Sequence, residues 1–186
     1  MRLAPSNLFI RGFRMTALKI QACIATAVVA VAASLTPVAQ AATISRDAYG
    51  TAAGLCTPAF GPSEVAIRKR PLTVQNEGSA PAFVTCSFTS EGPVTNAYVY
   101  VNSFDSAVHT VTCTGVNGYM TWSGNAYAPK SIDVQADGGQ EVIEWDPADF
   151  GGTTTFPTGY FSVSCALPPG AGVNDIGIVN NVEIGT

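Results

Sequence analysis

The chain has 186 residues, 47% of them hydrophobic and 12% charged, with 18 Gly and 12 Pro. That length fits one ordinary domain, the apolar content excludes a disordered chain, and the scarcity of heptad residues excludes a coiled coil. Four of the nine basic residues precede residue 20 and all thirteen acidic ones follow residue 46, so a chain starting at Ala42 carries a net −8 with His109 neutral and repels phosphate backbones; nucleic acid is not an expected partner.

Residues 1–41 read as a secretory signal peptide. Arg2, Arg11, Arg14 and Lys19 form a basic lead, Ala22–Leu35 is apolar, and Ala39-Gln40-Ala41 offers a small-x-small site with cleavage after Ala41. Fourteen residues of helix reach about 21 Å, short of the roughly 30 Å of a hydrocarbon core. Met15 is an alternative start to Met1, and the address is the same from either. The expected body, 42–186, is one exported domain, periplasmic or secreted, with no transmembrane segment. Removing the leader removes Cys23 and leaves Cys56, Cys86, Cys113 and Cys165, an even set that predicts two disulfides. Three connectivities are open; Cys56–Cys86 with Cys113–Cys165 is the one preferred. Each ring is expected to contribute roughly 3–4 kcal/mol as a buried inter-sheet or adjacent-strand bridge, and the four sulfurs together to clamp two layers of strands.

From Ala42 onward, short β-branched and aromatic runs alternate with Gly, Pro, Asn and Asp, and no helical period is visible. Strands are predicted at 64–69, 71–76, 81–89, 94–103, 106–114, 118–123, 130–136, 140–145, 158–167 and 174–183. Asp137-Gly138-Gly139 reads as a hairpin turn between two of them. The fold expected is all-β, a two-sheet antiparallel sandwich. Period-two phasing puts Ala82, Val84, Cys86 and Phe88 on one face, and Phe161, Val163, Cys165 and Leu167 on one face of another strand. Val111 and Cys113 oppose Thr110, Thr112 and Thr114.

The order Cys56, Arg70-Pro71 through Asn76, Val84-Thr85-Cys86, His109 through Cys113, and Phe161 through Cys165-Ala166-Leu167-Pro168-Pro169 resembles a group of exported, four-cysteine, β-rich bacterial proteins, mostly uncharacterised. The resemblance runs from about Leu55 to Glu183. It implies a sandwich and a periplasmic or extracellular site, and no activity.

No catalytic residue is assigned. His109, the only histidine, has Ser103, Asp105 and Ser106 as neighbours, but alternating strand positions do not build a triad, and it reads as a core-edge residue. Asp133, Asp137, Glu141, Glu144, Asp146 and Asp149 fall within seventeen residues. They read as solvated acidic loops. The competing readings are a calcium loop at Asp146 and Asp149, and a glycosidase pair drawn from carboxylates such as Glu144 and Asp146. Arg68-Lys69-Arg70 could meet an anionic surface, but alternation splits it and suits a guarded edge strand. Phosphate-loop, dinucleotide and zinc spacings are missing, so no cofactor or metal is expected. Trp122, Trp145, Tyr98 and Tyr119 are the ligand-binding candidates, because flat rings stack on sugars. Tyr98 and Tyr100 share a strand phase opposite Val99 and Val101.

These residues point to an exported, non-enzymatic binding or surface-associated module for a glycan, envelope component or partner protein. A small polysaccharide hydrolase and a structural surface or matrix protein are the alternatives.

Overall fold

Each strand has one apolar phase to bury, and the chain solves this by stacking two antiparallel sheets with those phases face to face. The computed structural model describes residues 41–121 and 123–185. The predicted signal peptide, Ala41 apart, lies outside the described residues. The first sheet runs β3 (Ile67–Lys69), β4 (Val74–Asn76), β11 (Ala171–Ile184), β6 (Val94–Ser103), β9 (Gln140–Trp145), with β1 (Ala42–Thr51) following β4 along the same edge of β11. The second runs β2 (Cys56–Pro58), β5 (Ala82–Thr89), β10 (Tyr160–Leu167), β7 (His109–Asn117), β8 (Ala126–Val134). Among the described residues no helix is long and apolar enough to cross a membrane.

The expected faces are the observed ones. Ala82, Val84 and Cys86 are buried, as are Phe161, Val163, Cys165 and Leu167, while Thr110 and Thr112 face solvent. β6 and β9 keep their expected bounds. Elsewhere the bounds shift: 71–76 shortens to β4, 106–114 moves on to β7 and 174–183 lengthens to β11, and three segments change more. Residues 64–69 give only the three-residue β3, because Gly61–Ala66 forms a short helix, α2, with Pro62 in its first turn; Ser63 Oγ accepts the Phe83 N–H at 2.9 Å and anchors it. Residues 118–121 turn instead of forming a strand. β7 ends at Asn117, whose side-chain N–H groups donate to the Thr158 and Tyr160 carbonyls at 3.0 and 2.7 Å. β8 starts four residues before the expected 130, passing through Pro129; it is an edge strand paired with β7 alone, where proline is tolerated. β1, β2 and the four-residue helix α1 (Ala52–Leu55) were not expected. The turn at Asp137 and Gly138 has φ of 60° and 83°, but it carries the chain from the second sheet to the first and does not close a paired hairpin.

Both disulfides have the preferred pairing, Cys56–Cys86 and Cys113–Cys165, with Cα atoms 4.0 Å apart in each. Each joins directly opposed residues of neighbouring strands, β2 with β5 and β7 with β10. The expected clamp between layers is therefore corrected: all four sulfurs lie within the second sheet. Trp145 of β9 does the crossing. Its ring is fully buried, its centroid lies 5.5 Å from that of Phe161 on β10, and its Nε1–H donates to the Ala128 carbonyl of β8 at 2.7 Å. Asn76 of β4 adds a second tie, donating to the Leu167 carbonyl at 2.8 Å.

The loop between β6 and β7 is held by one carboxylate. Asp105 Oδ1 accepts the Ala107 N–H at 2.9 Å and lies 2.7 Å from His109 Nε2 and 3.3 Å from Ser103 Oγ. The Ala107 N–H first, then His109, hold this carboxyl below its ordinary 3.8.

Two outcomes follow from this packing. A Cβ at Gly115 on β7 would lie 2.8 Å from Trp145 Cε2 and Nε1. Gly115→Ala should therefore cost about 1–3 kcal/mol in urea unfolding monitored by tryptophan emission, as overpacked cores do. A depressed carboxyl contributes stability that is present above its unfolded value of 3.8 and is lost as pH falls through the lower folded value. Asp105→Asn should be less stable than the parent at neutral pH, and the two urea midpoints should converge under acid.

Candidate functional site

Cross-strand partners share a face, so the register fixes what the outer surface of the first sheet presents. Tyr49 of β1 and Tyr98 of β6 both oppose Gly177 of β11, and Glu144 of β9 opposes Tyr98. One row along, Tyr100 and Thr51 both oppose Asp175. Burial of Val99 and Val101 against the core is what turns Tyr98 and Tyr100 outward.

Gly177 sets the shape of this surface. A Cβ there would lie 2.4 Å from Tyr98 Oη, 2.5 Å from Cζ and 2.9 Å from Tyr49 Cβ, so the Tyr98 phenol lies over bare backbone. It thereby crosses β11 and donates its hydroxyl proton to Asp47 Oδ1 on β1 at 2.7 Å. Burial, then that bond to Asp47, raise the phenol well above the ordinary tyrosine range and keep it a donor. Tyr100 meets Tyr98 edge to face, with centroids 5.6 Å apart, and Tyr49 stands 70% exposed beside them. Tyr49, Tyr98, Tyr100, Asp47 and Asp175 line an open recess of about 250 Å³. Rings with polar groups at their margins can stack on an apolar ring face while the carboxylates accept hydrogen bonds from hydroxyls.

Of the four aromatic candidates, the structure brings one, Tyr98, to this surface. Trp145 is corrected: it is the interlayer tie, with no ring face open to a ligand. Tyr119 lies in the turn after β7, its ring 5.3 Å from that of Tyr160, on a different part of the surface. Trp122 lies outside the described residues. Tyr49, Asp47 and Asp175 were not among the expected site residues, and Tyr100 was expected only to share a phase with Tyr98. Alternation carries no signal for Tyr49 and Asp47, because 42–51 has no apolar phase, and only the strand register pairs Tyr49 with Gly177.

The other clusters are occupied structurally. Asp146 Oδ1 accepts the N–H groups of Ala148 and Asp149 at 2.8 and 3.3 Å, capping a 3₁₀ turn (Pro147–Phe150), and Asp149 Oδ2 accepts from Lys130 Nζ at 2.7 Å. The calcium candidates Asp146 and Asp149 thus serve as a capping box. Among the described residues no group of three His, Cys, Asp or Glu is placed to hold a metal. In the Ser103, Asp105, His109 cluster the carboxylate sits in the middle, where a nucleophilic triad needs the imidazole. Arg68 and Arg70 both pair with Glu77, and Lys69 Nζ donates to the Ala53 carbonyl.

No protein-family model matches the chain, and no curated protein matches it. Among solved structures it is similar to the GH26-CBM35 β-(1,4)-mannanase of Podospora anserina, at 10% identity and a TM-score of 0.42 over 75% of this chain; the chain spans 28% of that protein's length. It is similar to the carbohydrate-binding module CBM36 in complex with calcium and xylotriose, at 12% identity and a TM-score of 0.36, covering 73% of this chain and 99% of that one. It is also similar to the family 11 carbohydrate-binding module from Clostridium thermocellum in complex with a β-1,3-1,4-mixed-linked tetrasaccharide, at 9% identity and a TM-score of 0.36, covering 74% and 86%.

Proposed function

We propose that this protein is a non-catalytic module that binds a glycan on the outer face of its first sheet, outside the reducing cytoplasm. The observation that carries the reading is the Tyr49, Tyr98 and Tyr100 recess, three rings and two carboxylates gathered from three strands over a glycine floor. Sugars offer an apolar ring face and a rim of hydroxyls, and this surface supplies a partner for each. Tyr98 is already locked by Asp47, so little ordering is needed when a ligand arrives. Two disulfides support an oxidising compartment, and the signal peptide expected at 1–41 fits export there.

The test is affinity electrophoresis through gels containing soluble polysaccharides, including neutral, anionic and amine-bearing ones. At least one should retard the protein. Tyr49→Ala and Tyr100→Ala should each weaken that retardation about tenfold, the scale of a lost aromatic contact. Tyr119→Ala should leave it unchanged. Gly177→Ala, which must displace Tyr98, should weaken binding without removing any aromatic ring. A protein that no polysaccharide slows, or Tyr49 and Tyr100 variants that bind as the parent does, would overturn the proposal.

A further inference from the structure

The recess has a sign as well as a shape. Of its five lining residues two are carboxylates and none is basic. Asp47 spends Oδ1 on Tyr98, and the Asp175 side chain has no hydrogen-bond or ion-pair partner among the described residues. Glu144 extends the same charge across the neighbouring strand, directly opposite Tyr98. The basic side chains nearby are directed elsewhere. Arg46 precedes Asp47 and so points to the opposite face of β1, where it lines a second recess with Ser90, Glu91 and Asn180 that Asp47 also borders. Arg68 shares the outer face but stands two strands from β11, on β3, with Glu77 3.9 Å away.

A neutral ligand seated here would strip water from two carboxylates and return only hydrogen bonds from hydroxyls. An anionic one would meet like charge. A cation answers both demands: it neutralises Asp47 and Asp175, and the faces of tyrosine rings attract it as well. The volume, about 250 Å³, is below the roughly 300–1,000 Å³ of a drug-sized site, so it takes one residue of a longer chain.

Building on the glycan reading above, we infer that the preferred ligand is a polysaccharide whose sugars carry free primary amines, with one ammonium seated between Asp47 and Asp175 beside the three tyrosines. A uronate, sulfate or phosphate on the glycan works against binding, and acetylation of the amine removes the charge that this face reads.

Calorimetry on the purified protein at about pH 5.5, where carboxylates are ionised, separates the possibilities with three length-matched probes: a glucosamine hexamer, its fully N-acetylated counterpart and a β-glucose hexamer. The glucosamine hexamer should bind at least about tenfold more tightly than either, and the margin should shrink as NaCl rises from about 20 to about 500 mM. Asp175→Asn and Asp47→Asn, which keep an acceptor of similar shape, should erase the preference, bringing the glucosamine hexamer down to the affinity that the same variant shows for the neutral hexamers. Tryptophan emission from the buried Trp145 verifies that both variants are folded. Equal binding of the three hexamers would overturn this inference and leave the glycan reading standing. Binding of none, together with no retardation by any polysaccharide, would remove both. Polylysine binding as tightly as the glucosamine hexamer would assign the face to a basic peptide and would also overturn the inference.

Discussion

One indole holds the two layers in register. Trp145 leaves β9 in the first sheet, fills the space that Gly115 leaves open on β7, and donates to the Ala128 carbonyl on β8. A buried Trp N–H without an acceptor is costly, so the ring position, the rotamer and the separation of the layers are set together. The consequence reaches the opposite surface. With Trp145 and Ile143 committed to the interior, alternation leaves Glu144 outside, and the β9–β6 register sets it beside Tyr98. The binding face is thus the reverse side of the core.

The covalent cross-links work on the other sheet. Cys56–Cys86 secures the three-residue β2, which has little ladder of its own, and Cys113–Cys165 joins the strands on which Gly115 and Phe161 meet the indole. Constraint of the unfolded chain by such rings stabilises a domain whose total stability is of order 5–15 kcal/mol. The second sheet is therefore the rigid backing. The first sheet has no covalent link, and its long edge is formed by β1, held to β11 by backbone bonds and by the Tyr98–Asp47 hydrogen bond.

What could be read from the sequence follows the same physics. β5 and β10 alternate along their length, β6 over 97–101 and β9 over 143–145, because one side of each is buried there, and that alternation made them legible. β1 has no such phase. Ala42–Asp47 are exposed on both faces, so Ala42–Thr51 offers no apolar alternation although it is fully paired. Missing that strand meant missing Tyr49 and Asp47, two of the five residues that line the recess. Trp145 shows a second kind of limit: an aromatic at a strand end fits a platform or a core equally well, and the decision was made by a glycine thirty positions earlier in the chain.

Asp175 was hidden by a finer feature. Val173 opposes Val101, yet Asp175 opposes Tyr100, so β11 advances two residues while β6 advances one and Asn174 is extra. In a regular strand, Val173 and Asp175 would share a face, and the carboxylate would enter the core. The bulge reverses the phase: Ala171 and Val173 point inward before it, Ile176 and Ile178 after it, and Asp175 with Gly177 turns outward. A bulge that re-aims a side chain is a device found beside functional sites. Here it delivers the free carboxylate and the glycine floor to the same surface. A second irregularity, between Val179 and Asn180, puts the extra residue on β6: Thr95 is skipped and Val94 turns inward, while β11 keeps its phase and Asn180 is buried in line with Ile176 and Ile178. The aromatic and acidic face lies along the short stretch of β11 between the two register shifts, and the first of them is a feature of strand pairing that no single strand's pattern contains.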